Sequence, residues 1–232
     1  MDSGDELQQL EQSLGVTFAN KDVLRQALVH RSYLNEHPDF RLSHNERLEF
    51  LGDAVLELVV TEYLYLHYSQ PEGDLTNWRA SLVNAKILSE IAATLGVNDF
   101  LYLSKGEAND KHTKARGYIL ANTFEAIVGA IYLDQGWDAS KGFIERCVLS
   151  KLGYIIEHKL YLDPKSRLQE ASQDRLGKTP RYEVISEDGP DHNKEFVVGV
   201  FIGNDKIAEG KGTSKQEAQV DAAQNALEEK SW

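Results

Sequence analysis

Asn45-Glu46-Arg47-Leu48-Glu49-Phe50-Leu51-Gly52-Asp53-Ala54-Val55-Leu56-Glu57 is the stretch on which the reading of this chain turns. On a helix at about 100° per residue, Glu46, Glu49, Asp53 and Glu57 fall within one arc of about 80°. The rest of the circumference is mostly apolar, with Leu48, Phe50, Leu51, Ala54, Val55 and Leu56 followed by Leu58, Val59 and Val60. A helix apolar nearly all round is expected to be buried. Buried carboxylates repel one another and are costly unless neutralised, which an oxygen-seeking cation such as Mg²⁺ or Mn²⁺ would do. The pattern alone leaves a second reading open: a solvated acidic stripe with Arg47 as its surface ion-pair partner.

The surrounding chain is that of a globular protein. Its 232 residues suit one large or two modest domains, and a 41% hydrophobic, 27% charged composition allows a proper core. The acidic start Met1-Asp2-Ser3-Gly4-Asp5-Glu6 lacks the apolar stretch of a secretory signal. No apolar run approaches the roughly 18 residues of a membrane span. Cys147 stands alone, which excludes an internal disulfide and a cysteine-based zinc site. The expectation is a cytoplasmic protein with no membrane partner and no small-molecule cofactor.

A net charge of −12 weighs against nucleic acid, whose partners usually carry a basic footprint. Residues 163–232 hold ten Lys and Arg against fourteen Asp and Glu, so the conflict is not confined to one half. Any RNA binding must therefore rest on local clusters and shape.

From Glu6 to about Lys159 apolar residues recur at helical spacing, as in Leu82-Val83-Ile87-Leu88-Ile91 and Ile119-Leu120-Phe124-Ile127-Val128-Ile131. His37-Pro38-Asp39, Gln70-Pro71-Glu72-Gly73-Asp74 and Gly136 punctuate the pattern, and Asp74 reads as the N-cap of a helix beginning near Leu75. After Asp163-Pro164 the character changes. Lys165 to about Leu176 reads as a helix closed by Gly177. Three strand-like stretches follow, Arg181–Glu187, Glu195–Ile202 and Lys206–Gly210. A last helix starts at Ser214, spaced from Glu217 as in a capping box, and buries Ala218, Ala222, Ala223, Ala226 and Leu227. The fold class expected is an all-α domain over 6–159, followed by a small α+β domain of order α-β-β-β-α over 163–231. That order is the arrangement of a double-stranded-RNA-binding domain.

Asn-Glu-Arg-Leu-Glu-Phe-Leu-Gly-Asp, residues 45–53, resembles without a gap the signature of the ribonuclease III family of double-stranded-RNA endonucleases. A second element, Leu120-Ala121-Asn122-Thr123-Phe124-Glu125-Ala126-Ile127, places Asn122 and Glu125 on one helix face. Gly129, one turn on, permits close approach of another helix. The resemblance implies that this helix meets the signature helix, that Glu49, Asn122 and Glu125 bind a metal, and that Asp53 belongs to the same cluster, either as a ligand or holding a metal-bound water. Asp53 and Glu125 would be catalytic, and Glu46 and Glu72 auxiliary acids at the edge of the site. It implies Mg²⁺, with Mn²⁺ as a substitute. The family most often has Asp where this chain has Asn122, whose amide can ligate a cation but brings no charge. A double-stranded-RNA-binding protein with weakened or lost turnover is the alternative that this departure raises.

In the second domain the resemblance implies three RNA-contacting segments: Gln169 and Glu170 on the first helix, His192 in the loop and strand start 189–196, and Lys211, Ser214 and Lys215 at the start of the last helix. Such domains read A-form RNA by shape, through 2′-hydroxyl and phosphate contacts over about 16 base pairs. The resemblance further implies a homodimer with Phe50 among its contacts, and processing of rRNA, mRNA and tRNA precursors to 5′-phosphate and 3′-hydroxyl ends. Cys147 and the aromatic residues Trp78, Trp137, Tyr63, Tyr65, Tyr132 and Tyr154 read as core or interface.

Overall fold

The helical half and the mixed half form separate compact units, residues 1–158 and 159–232. The computed structural model describes residues 3–110, 113–190 and 194–232, without the side chains of 3–6. The first unit contains α1 (Ser3–Leu14), α2 (Lys21–Ala27), α3 (Arg31–Glu36), α4 (Glu46–His67), α5 (Glu72–Leu82), α6 (Ala85–Thr94), α7 (Lys105–Asn109), α8 (Lys114–Gln135), α9 (Trp137–Cys147) and α10 (Leu152–Glu157). No helix among the described residues is long and apolar enough to cross a membrane.

α8 is the centre of this unit. It packs most extensively on α4, then on α6, α2 and α9. Phe124, Ala126, Ile127, Val128, Ala130 and Ile131 are fully buried, and Phe124 stacks on Phe143 of α9 at 5.6 Å. The α4–α8 crossing has no room for side chains. A Cβ on Gly52 would stand 1.7 Å from the Glu125 carbonyl oxygen, and one on Gly129 2.2 Å from the Leu48 carbonyl oxygen. Gly129 thus does what its spacing suggested, with Gly52 as its counterpart.

α4 is buried on one side only. Leu48, Val55, Leu56, Val59 and Val60 are in the core, whereas Phe50 is 82% and Leu58 57% exposed. The expectation of burial all round is therefore corrected. Periodicity registers an apolar face without telling whether the same chain covers it. Asp74 is not the N-cap of α5. The helix starts at Glu72, three residues before Leu75, with Pro71 as the capping residue and its carbonyl accepting from Asp74 N at 3.0 Å. Glu72 and Asp74 both fall in the first turn, where negative charge suits the helix dipole. Trp78 is buried, but Tyr65 and Tyr154 are largely exposed. Cys147 is half-buried, and that burial pushes its thiol above the usual range.

The second unit runs α11 (Pro164–Leu176), β1 (Pro180–Asp188), β2 (Glu195–Ile202), β3 (Asp205–Gly212) and α12 (Lys215–Lys230). Asp163 caps α11 by accepting from Lys165 N at 2.9 Å, and Gly177 ends it in the left-handed region. The three strands form an antiparallel sheet in the order β1-β2-β3. Alternate residues of β2, Phe196, Val198, Val200 and Ile202, face the helices. They meet Leu168 and the predicted stripe Ala218, Ala222, Ala223, Ala226 and Leu227, each at most 2% exposed. This is the expected α-β-β-β-α arrangement.

Candidate active site

The α4–α8 crossing places a group of oxygen donors where two helices touch through glycine. Glu49 and Asp53 come from α4, and Asn122 and Glu125 from α8. Glu125 and Glu49 are half-buried, whereas Asp53 and Asn122 are exposed. Burial, with the charges of Asp53, Glu49 and Glu57, pushes the Glu125 carboxyl up to about 7. Burial also raises Glu49, helped by the charges of Glu46 and Asp53 and opposed by a hydrogen bond from the Asn122 amide. The four residues therefore share one electrostatic environment, in which a proton or a cation must offset the repulsion between carboxylates.

At the edge of this group, Glu46 is exposed, with Arg31 and His44 each 3.7 Å away. Arg79 of α5 pairs with Glu57 at 3.0 Å and donates to Thr61 at 3.0 Å, tying α5 to α4. Glu72 is elsewhere. It lines a groove of about 640 Å³ with Thr61, Leu64, Tyr65 and Tyr68, about 20 Å along α4 from Glu49 at 1.5 Å per residue. Within a single chain it does not stand at the edge of the carboxylate group, contrary to expectation, because α5 packs on the far half of α4.

Hard oxygen donors carrying excess negative charge fit Mg²⁺ by their chemistry. The side chains are not drawn together as a finished cage: among the described residues no three of His, Cys, Asp and Glu converge closely enough to hold a metal ion. Asn122 adds a neutral amide oxygen to these carboxylates and lies beside Glu49, whose charged form it favours.

In the second unit, Gln169 and Glu170 are exposed on α11, and Glu170 lies 3.7 Å from Lys159. Lys211 and Lys215 are exposed at the turn into α12. Ser214 is occupied as a cap: its hydroxyl accepts from Glu217 N at 3.1 Å, while the Glu217 carboxylate accepts from Thr213 N at 2.9 Å. The loop residues Asp191, His192 and Asn193 lie outside the described residues.

Two residues were missed in the sequence reading. Gly52 carried a signal, since a glycine within an apolar helix costs roughly 1 kcal/mol and points to a packing reason. Glu187, which contacts Lys194 and Lys215, carried none, because strand and helix meet there only in the fold.

Comparison with known proteins matches residues 20–152 to a ribonuclease-III-like family model and residues 164–230 to a double-stranded RNA binding motif. The chain is 45% identical over 226 residues to Ribonuclease 3 of Chloroflexus aggregans, covering 96% of this chain and 97% of that protein. It is 44% identical to Ribonuclease 3 of Bdellovibrio bacteriovorus, covering 95% and 94%. A crystal structure of the nuclease domain of the Campylobacter jejuni ribonuclease III aligns with a TM-score of 0.54 at 42% identity, over 63% of this chain and 96% of that one. Another structure of that domain, described for flexibility in a region involved in dimer formation, aligns at 0.53 and 43%, over 60% and 96%.

A helical nuclease unit followed by a double-stranded-RNA-binding unit defines an endoribonuclease of double-stranded RNA. The chain belongs to the ribonuclease III family.

Proposed function

We propose that the chain cuts duplex RNA by divalent-cation-dependent hydrolysis at the α4–α8 crossing, leaving 5′-phosphate and 3′-hydroxyl ends. Precursors of rRNA, mRNA and tRNA are the proposed substrates. The observation that carries the reading is the group formed by Glu49, Asp53, Asn122 and Glu125, with Glu125 held near 7 by burial and neighbouring carboxylates.

These four residues would hold Mg²⁺, or Mn²⁺ in its place. A divalent cation at such a site supplies a lowered pKa for water and charge stabilisation at the phosphoryl oxygens. The remaining work falls to side chains. Without a cation Glu125 holds its proton up to about 7, so at neutral pH it gives that proton up readily and would become a charged oxygen donor to a divalent cation. Asn122 lies beside Glu49 and favours the charged form of that carboxylate. Asp53, exposed one turn from Glu49, is placed to orient water from the solvent side. The buried α8 backbone and the Gly52–Gly129 contact fix the spacing between the two helices.

Residues 6–159 would catalyse and dimerise, and residues 163–231 would hold the duplex. The uncovered apolar stripe of α4, Phe50, Ala54 and Leu58, supports a homodimer with one cut per strand. Gln169, Glu170, His192, Lys211, Ser214 and Lys215 are the proposed RNA contacts, through 2′-hydroxyls and phosphates.

Deleting residues from Asp163 onward tests this division. The truncated chain is expected to stay folded and dimeric, and to cut duplex RNA at low salt but poorly at physiological salt, where counterions compete with the remaining contacts. Equal cutting by truncated and full chains at every salt concentration would show that the second unit does not hold substrate.

A further inference from the structure

The corner between β1 and α12 holds an acid that the RNA-binding reading leaves without a task. Glu187 stands near the end of β1, opposite Phe196 in the sheet register. One carboxylate oxygen accepts from Lys194 Nζ at 2.7 Å. The other lies 3.8 Å from Lys215 Nζ, and that same ammonium group lies over the Phe196 ring, 5.7 Å from its centroid. The hydrogen bond from Lys194, with the charges of both lysines, holds the Glu187 carboxyl below the usual carboxylate range. It is therefore fully anionic at neutral pH. One carboxylate thus engages two cations, one at the end of the β1–β2 loop and one at the first residue of α12.

We propose that Glu187 is a built-in phosphate surrogate that sets RNA affinity: it occupies Lys194 and Lys215 in the free protein and is displaced by the phosphates of duplex RNA. The inference rests on the proposed reading of this corner as part of the RNA-binding face. Chemically the exchange is like for like, because a carboxylate and a phosphate both present charged oxygens to an ammonium group. It is also reversible. The side chains of Glu187, Lys194 and Lys215 are 38%, 33% and 59% exposed, and pairs this exposed are weak and readily screened. Glu187 acts through the two lysines and is a positioning residue, not a contact.

The test is binding of the full chain to an RNA duplex longer than about 16 base pairs, without divalent cation so that no cut competes. Glu187→Gln is expected to bind roughly three- to tenfold more tightly at low salt, with the gain shrinking as salt rises. Damage to the fold would weaken binding, so tighter binding cannot arise from it. Glu187→Thr, which suits a strand, serves as a second neutral variant.

Glu209→Gln removes the same charge from the same unit, where Glu209 pairs with Lys206 at 2.6 Å. It is expected to leave affinity unchanged. The gain should also vanish when Lys194→Gln and Lys215→Gln are present. Equal or weaker binding by both Glu187 variants overturns the proposal, as does an equal gain from Glu209→Gln. If the double lysine variant binds like the unaltered chain, the reading of this face falls, and the surrogate with it. If that variant binds weakly while the Glu187 variants bind no tighter, the surrogate alone falls.

Discussion

Glu125→Ala is expected to lower duplex cleavage by on the order of 10³-fold or more, about 4 kcal/mol of transition-state stabilisation, while RNA binding persists. The side chain is half-buried at the α4–α8 crossing, flanked by fully buried Phe124 and Ala126. Truncating it removes a donor and a charge but little core volume. Single-turnover cleavage and a gel shift on the same duplex separate the two effects. Cleavage near the unaltered rate at saturating Mg²⁺ would remove Glu125 from the site. The isosteric Glu125→Gln adds a readout in pH. The folded protein holds this proton to about 7, against an ordinary value of 4.5, so the group's contribution to stability is complete below pH 4.5 and is lost as pH rises through 7. In the metal-free protein that loss amounts to about 2 kcal/mol after allowance for partial exposure. Glu125→Gln should flatten it.

Gly52→Ala is expected to cost about 3 kcal/mol, at the upper end for overpacking, and to lower the melting temperature of the nuclease unit by roughly 6–12 °C. The added Cβ would meet the Glu125 carbonyl oxygen at 1.7 Å and Gly129 N at 2.8 Å. Both obstacles are backbone, so no side chain can turn aside and the helices must separate. Because the contact is made on Glu125 itself, separation moves one donor away from Glu49 and Asp53, and cleavage should fall along with stability. Gly142→Ala is the contrast. Gly142 lies within α9, with nothing within 4 Å of an added Cβ. That substitution should be neutral or slightly stabilising. Equal melting temperatures for Gly52→Ala and the unaltered chain would contradict the close crossing.

Helix-level patterns were the most legible part of this chain. The acidic arc of α4, the Asn122–Glu125 face of α8 and the alanine stripe of α12 each repeat within one element, and local periodicity is enough to find them. Turn chemistry was nearly as clear at Gly136 and Gly177, which take positive φ at helix ends. At Asp74 it misled, because Pro71 and Asp74 both suit a helix start and only the backbone chooses between them. What stayed hidden was long-range. By periodicity alone Phe50 and Leu58 look like core residues, although the family resemblance put Phe50 at a dimer contact, and their exposure depends on which elements α4 meets. Glu72 looked close to Glu49, but α5 returns along the far half of α4. The pairing of Glu187 with Lys194 and Lys215 joins a strand, a loop end and a helix, and no spacing encodes it.

The central claim is that Glu49, Asp53, Asn122 and Glu125 form the cation site that cuts RNA, and a Mg²⁺ titration of cleavage tests it most directly. One long duplex is incubated with the unaltered chain and with Asn122→Asp. No cleavage is expected without divalent cation in either protein. Asn122→Asp adds a charge without changing side-chain size and should lower the half-saturating Mg²⁺ concentration about tenfold, roughly 1.4 kcal/mol, with a smaller effect on the saturated rate. Superimposed titrations would contradict the placement of Asn122 in the site. Cleavage by Asn122→Asp alone, with the unaltered chain inactive at every Mg²⁺ and Mn²⁺ concentration, would contradict the claim that this chain is itself the catalyst.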